Sequence, residues 1–169
     1  MTPPDLHITQ FTYKHANIFS KLRIATDRES DHVLANKNER TENALHVIVR
    51  LLISQRRIVT FLAFDGKEAI GYVSLVFPKY TKLKGNAYLT IAIREKYRGK
   101  GVGAKLMDKA EQYAKEKGIR RIELEVFGKN KNAIAMYEKR GYLTEGAKKD
   151  AVDGTEGFDD IIFMAKKLK

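Results

Sequence analysis

The sequence predicts an α/β fold: a single domain, residues 6–169, with a mixed central sheet of about seven strands and flanking helices. Three observations predict it. Apolar residues switch between strand-like and helix-like periods along the chain, giving the order β-α-α-β-β-β-α-β-α-β-β. The 169 residues contain no internal repeat, low-complexity tract or Pro/Ser-rich linker, and that length suits one hydrophobic core. Finally, a turn rich in glycine and cations, "YRGKGVG" (Tyr97–Gly103), joins a predicted strand to a predicted helix.

Each element follows from its residues. Leu6–Phe11 reads as a short strand, after which Ala16, Ile18, Phe19, Leu22 and Ala25 recur at helical spacing. Thr26–Arg40 is polar and reads as loop or partial helix. Leu45, Ile48, Val49, Leu52 and Ile53 are the expected buried face of a second amphipathic helix. Strands near Arg57–Phe64 and Ala69–Phe77 are joined across Asp65-Gly66, a dipeptide that favours hairpin turns. "AYLTIAI" is the next strand, and the helix after the glycine turn buries Val102, Leu106, Ala110, Tyr113 and Ala114. Gly118 stands where a left-handed C-terminal cap belongs. "RIELEVF" alternates as a strand, with Ile122, Leu124 and Val126 on one face and Glu123 and Glu125 on the other. Asn130 or Asn132 caps a short helix ending at Gly141. "YLTEGA" and "FDDIIFMAKKL" close the chain as strands.

Composition narrows the functional classes. The chain has no cysteine, which excludes disulfides, thiol nucleophiles and cysteine-zinc sites. "MTPPDLHITQ" lacks a signal pattern, and the longest apolar run, Ile161–Ala165, is too short to span a bilayer, so a cytoplasmic protein without a membrane partner is expected. Thirty-two Lys and Arg against 21 Asp and Glu give +11, a field that favours an anionic partner. No basic stripe interleaved with aromatics is present, so no nucleic-acid partner is expected.

The glycine turn has the chemistry of a phosphate cradle. A helix N-terminus offers unpaired N–H groups and partial positive charge. Gly99, Gly101 and Gly103 remove Cβ atoms and allow positive φ, while Arg98 and Lys100 add full charges. A Walker loop would need Gly-Lys followed by Ser or Thr, which neither Gly66-Lys67-Glu68 nor Gly99-Lys100-Gly101 supplies. Gly99, Gly101 and Ala104 satisfy G-x-G-x-x-A, but "REKYR" separates them from the strand, and the acid Glu123 sits inside the next strand rather than at its end.

"REKYRGKGVGAKLM" resembles the acetyl-CoA signature of the GNAT superfamily of N-acetyltransferases, Arg/Gln-x-x-Gly-x-Gly/Ala, matched by Arg98, Gly101 and Gly103. "LEVFGKNKNAIAMYEKRGY" resembles that family's second signature through Leu124, Val126, Asn130, Ala133, Tyr137, Glu138, Lys139, Gly141 and Tyr142. The resemblance implies a GNAT-like fold in which acetyl-CoA, as acetyl donor, wedges between two splayed parallel strands. Backbone groups around Ile91, Ala92 and Ile93 would hold the pantetheine arm. Arg98, Gly99, Lys100, Gly101, Val102, Gly103 and Ala104 would hold the pyrophosphate, and Asn130 and Ala133 would line the cofactor. Tyr137 would contact the cofactor and protonate the departing thiolate. An amine would attack the thioester directly, with no metal. The tail resembles bacterial members acting on amino acids or other small amines, so a small-molecule primary amine is the expected acceptor, and a homodimer is compatible. A CoA-binding regulatory module without turnover, or an acetyltransferase acting on a protein N-terminus, is the alternative.

Ordinary roles stand beside these. Tyr137 fits a half-buried packing position, and a helix cap accounts for Asn130. The general base is the gap. A lysine-like amine is almost wholly protonated at pH 7, and freeing its lone pair costs about 4–5 kcal/mol, against about 1–1.5 for a peptide-like α-amine. Many relatives carry a glutamate early in the fourth strand, but "GNAYLTIAI" has none. Glu123, Glu125 or a water relayed by Tyr88 are substitutes. The acids of Thr26–Glu42 are candidates for substrate contacts. His7, His15, His32 and His46 lack metal-site spacing, and Ser30-Asp31-His32 are too close in sequence for a relay.

Overall fold

The computed structural model describes residues 5–32, 39–54, 57–154 and 157–168, with Leu51 and Leu52 described by backbone alone. The elements run β1 (Leu6–Gln10), α1 (Ala16–Arg28), α2 (Ala44–Ile53), β2 (Ile58–Asp65), β3 (Glu68–Val76), β4 (Asn86–Ile93), α3 (Val102–Glu116), β5 (Arg121–Phe127), α4 (Lys131–Lys139), β6 (Leu143–Gly154) and β7 (Gly157–Lys167). They build one seven-stranded sheet in the order β1-β2-β3-β4-β5-β7-β6, and among the described residues the one parallel pair is β4–β5. The predicted mixed α/β class is the observed one.

Alternation places the two cores. Ala87, Leu89, Ile91 and Ile93 of β4 face one side, joining Ile122, Leu124 and Val126 of β5 beneath α3 and α4. Ala92 faces the other side, where Phe19 and Leu22 of α1 and Val47 of α2 pack on Leu62 and Tyr72. The sheet is therefore covered by helices on both faces. Gly66, at φ +56°, makes the tight β2–β3 turn, where an added Cβ would meet nothing but a left-handed residue would be strained. Among the described residues no helix is long and apolar enough to cross a membrane.

Three elements differ from expectation. On α2, Val47 is buried and Ala44 and Ile48 pack against the core, whereas Leu45, Val49 and Ile53 point outward. The expected face is thus rotated, and the Leu52 side chain lies outside the described residues. Of the predicted Thr26–Arg40 loop, Thr26–Arg28 belongs to α1 and residues 33–38 lie outside the described ones. β6 extends well past "YLTEGA" to Gly154, because β7 offers partners as far as Gly157. An irregularity between Lys148 and Val152 places Asp150 at φ +51°, and the Asp160 carboxylate accepts from its N–H at 3.0 Å.

Candidate active site

The parallel pairing of β4 and β5 lasts three registers, Asn86↔Arg121, Ala87↔Ile122 and Tyr88↔Glu123. Beyond them the strands part. β4 continues to Ile93 hydrogen-bonded to β3, and β5 continues to Phe127 hydrogen-bonded to β7. The facing edges of Leu89–Ile93 and Leu124–Phe127 therefore have no strand partner among the described residues, although each carries a peptide ladder. An extended, amide-bearing molecule can enter such a fork as a strand would. Ile91, Ala92 and Ile93 lie on its β4 edge.

At the open end of the fork the chain turns through Arg94–Gly101 into α3. Gly99 (φ +71°) and Gly101 (φ +79°) take left-handed conformations with open space at the Cβ position. Gly103 differs. An added Cβ would stand 3.0 Å from Ile93 Cδ1 and 3.4 Å from Met136 Sδ, so this glycine lets the first turn of α3 approach β4 and α4. Among the described residues no group accepts from the N–H of Gly99, Lys100, Gly101, Val102, Gly103 or Ala104, and the first intrahelical bond runs from Lys105 to Gly101. Six successive donors remain for a ligand. Val102 itself is core, whereas Ala104 is exposed. The Arg98 guanidinium is not aimed outward as a free charge: it donates to the Ile93 carbonyl (3.1 Å) and the Glu29 carbonyl (3.0 Å). Lys100 lies over the Tyr97 ring at 5.4 Å.

On the other side of the fork, α4 is capped by Asn130, whose Oδ1 accepts from Ala133 N at 3.2 Å, leaving its amide NH₂ free to donate. Asn132 does not cap. Tyr137 is 6% exposed and packs against Tyr142 with ring centroids 5.7 Å apart. No described group hydrogen-bonds its hydroxyl. Burial above all, with Tyr88 nearby, pushes that hydroxyl well above the usual phenol range. Tyr88 is the last β4 residue paired with β5: burial and then the Glu125 carboxylate push its hydroxyl up, and the Glu125 backbone opposes them. Tyr88 thus stands between Tyr137 on one face and Glu125 on the other.

The carboxylates sort by their partners. Glu123 is held by Arg121 Nε at 2.6 Å and Asn86 Nδ2 at 3.1 Å. Glu125 is exposed and carries no ion pair among the described residues. The acids expected to meet substrate are largely committed elsewhere. Asp27 is buried and pairs with Arg40; Glu42 gathers Arg23, Arg40 and Arg50; Glu29 holds Arg94. Arg40, Glu42 and His46 line a cavity of about 240 Å³ beside α2. His32 lies against Phe127 at the end of β5, with ring centroids 6.3 Å apart. Among the described residues no three metal-binding side chains converge.

Sequence reading missed two anchors of the turn. Glu29 contacts it from α1, and Glu68 from β3, where it accepts from Tyr97 Oη and Lys96 Nζ, each at 3.0 Å. No local pattern signals either, since the partners lie 28 to 69 residues away in sequence.

Residues 22–142 match the family model described as Acetyltransferase (GNAT) family. Thialysine N-epsilon-acetyltransferase of Caenorhabditis elegans is 35% identical over 94 residues, 54% of this chain and 58% of that protein. The chain spans about half the length of the curated relatives it matches (52% and 58%). Among solved structures, the acetyltransferase of the GNAT family from Streptococcus pneumoniae superposes with TM-score 0.90 at 24% identity, covering 98% of this chain and all (100%) of that one. The Salmonella typhimurium protein yncA, solved with its cofactor acetyl-CoA, superposes with TM-score 0.83 at 13% identity, covering 97% and 94%. At these identities the superpositions establish the fold.

Proposed function

The chain belongs to the acetyltransferase (GNAT) family, and on that premise we propose that residues 6–169 form one acyltransferase domain moving an acetyl group from acetyl-CoA to a primary amine of a small molecule or amino acid. The observation that carries this reading is the juxtaposition of an open β4–β5 fork, six N–H groups at its mouth without an acceptor among the described residues, and a Tyr137 hydroxyl on α4 close enough to Tyr88 to feel it. The residues fit the donor. A pyrophosphate needs several converging N–H groups and cations, which Gly99–Ala104 with Arg98 and Lys100 supply. The pantetheine amides need a strand edge, which Ile91, Ala92 and Ile93 supply. The name of the Caenorhabditis elegans relative supports an amine acceptor.

Acetyl-CoA brings an acetyl group already activated as a thioester. The chain's own residues then divide the proton work. Glu125, open on the α1/α2 face, accepts the proton that the attacking amine must lose, directly or through Tyr88. Glu123 is the poorer base because Arg121 and Asn86 hold its carboxylate. Tyr137 remains protonated across the working pH range and donates to the sulfur as the carbon–sulfur bond breaks. A thiol has a pKa of about 8.5, below that of a phenol, so the phenol first stabilises the thiolate as a hydrogen-bond donor. Its proton transfers fully only as another is returned from the amine side.

The test is thiol release from acetyl-CoA over a panel of amino acids, polyamines, aminoglycosides and N-terminal peptides. Release with a small amine is expected. Acetyl-CoA binding with no release on any amine would defeat the catalytic reading and leave a binding module.

A further inference from the structure

We propose that Glu29, at the end of α1, is a positioning residue that fixes the phosphate turn from outside it. The proposal rests on the donor-site reading above, and three bonds carry it. Glu29 Oε1 accepts from Arg94 Nε at 2.7 Å, Oε2 accepts from the Glu95 N–H at 2.7 Å, and the Glu29 carbonyl accepts from Arg98 Nη2 at 3.0 Å. One residue of a helix on the α1/α2 face thus grips three residues of the turn between β4 and α3. Its carboxylate is about a quarter exposed, at 23%, so these are partly desolvated contacts.

Helix physics does not place an acid here. Glu29 is the C-cap of α1, where the helix dipole disfavours negative charge and favours a cation such as the neighbouring Arg28. An acid beside a turn built to receive an anion is likewise unfavourable in simple electrostatic terms. The position therefore makes sense through its bonds. By occupying Arg94 and the Glu95 N–H, Glu29 ties the turn to the end of α1, next to the Gly99–Ala104 segment, whose N–H groups have no acceptor among the described residues. Glu68 braces the opposite side through Tyr97 and Lys96.

The two views of Glu29 predict opposite signs for Glu29→Gln. Removing a negative charge near the pyrophosphate would tighten acetyl-CoA binding if charge alone mattered. Glutamine has a single acceptor oxygen and a repelling NH₂, so it loses one of the two charge-assisted bonds and releases the turn. Positioning therefore predicts weaker binding, by roughly tenfold for one such bond. The experiment compares wild type, Glu29→Gln and the exposed control Glu116→Gln in calorimetric titrations with acetyl-CoA, and in turnover with acetyl-CoA and with S-acetylpantetheine, which lacks the pyrophosphate. Positioning requires three results together. Glu29→Gln raises Kd and KM for acetyl-CoA, keeps kcat within about twofold, and uses S-acetylpantetheine as wild type does. Unchanged or tighter acetyl-CoA binding overturns it, as does an equal loss on S-acetylpantetheine. If Glu29→Gln melts substantially lower, Arg94→Lys, which keeps the charge but removes the Nε donor, carries the same expectations. A wild type that binds no acetyl-CoA would defeat the donor-site reading and the clamp with it, whereas clamp failure alone leaves wild-type binding intact.

Discussion

Tyr137→Phe separates packing from chemistry because the structure predicts opposite sizes for the two effects. The ring is 6% exposed and keeps its apolar contacts as phenylalanine. Its hydroxyl has no hydrogen-bond partner among the described residues, so the substitution breaks no bond in the free protein. A buried hydroxyl with a partner would cost about 1 kcal/mol on removal, which in a domain of this size is about 2–4 °C in Tm. The expected change in Tm is therefore near zero. Turnover is different. Loss of a general acid costs about 10²–10⁴-fold, and the high pKa of Tyr137, driven by burial, argues for the lower part of that range. The assay is kcat on the best acceptor, with melting curves and acetyl-CoA titrations on the same preparations. Turnover within about threefold of wild type, with chemistry shown to limit the rate, refutes the acid role. A clear fall in Tm refutes the account of the unbonded hydroxyl.

Other substitutions test neighbouring claims. Gly101→Glu places a non-glycine residue at φ +79°, costing about 1–2 kcal/mol without any clash, and its carboxylate should abolish acetyl-CoA binding, while Lys115→Glu on the exposed end of α3 leaves binding nearly unchanged. Equal losses in a titration would reduce the site to net charge. Glu125→Gln should lower kcat by about 10²-fold or more with Kd for acetyl-CoA preserved; unchanged kcat across pH 6–9 would return Glu125 to a solvated strand face. Tyr142→Phe should leave Tm nearly unchanged, because the buried Tyr142 hydroxyl makes no close hydrogen bond and the Glu111 carboxylate merely stands near it; a clear fall in Tm would show that the Glu111 interaction stabilises the fold. The Lys149 ammonium and then the Asp150 N–H hold the Asp160 carboxyl below its usual range, so its stabilisation is present above the unfolded carboxylate pKa and lost as pH falls through the folded one. The small Tm gap between wild type and Asp160→Asn should accordingly close in acid.

The sequence was most legible where one local rule governs. β5 runs Arg121–Phe127 as its alternation predicts, Asn130 caps α4, and Gly118 and Gly141 take the positive φ that ends their helices. The α2 face was misread because "ALHVIVRLLI" is apolar nearly all round, so periodicity cannot choose between Leu45 and Val47; packing on Phe19 and Tyr72 decides. The arginine partners of the Thr26–Glu42 acids were not legible, because charge in a polar stretch does not show which arginines fold onto it. The bonds of the Arg98 guanidinium to two carbonyls, one of them 69 residues earlier, were not legible because no local pattern signals them.

The surplus of positive charge and the geometry of the turn have to be weighed together. Four cations surround the phosphate turn, and two of them, Arg94 and Lys96, face the carboxylates of Glu29 and Glu68. A site that worked by charge alone would leave all four free. Here Arg94 and Lys96 act as tethers and Arg98 donates to two carbonyls, so the remaining attraction comes from Lys100 and the N–H groups at the start of α3. Unpaired backbone groups at a fork beside a packed core are costly unless something satisfies them. β4 and β5 pair only as far as Tyr88↔Glu123, and beyond it each strand keeps its other neighbour, β3 or β7. The fold therefore maintains unsatisfied hydrogen-bonding capacity along a line from Gly99 to Tyr137, and a ligand with an anionic head and an amide-bearing arm completes it.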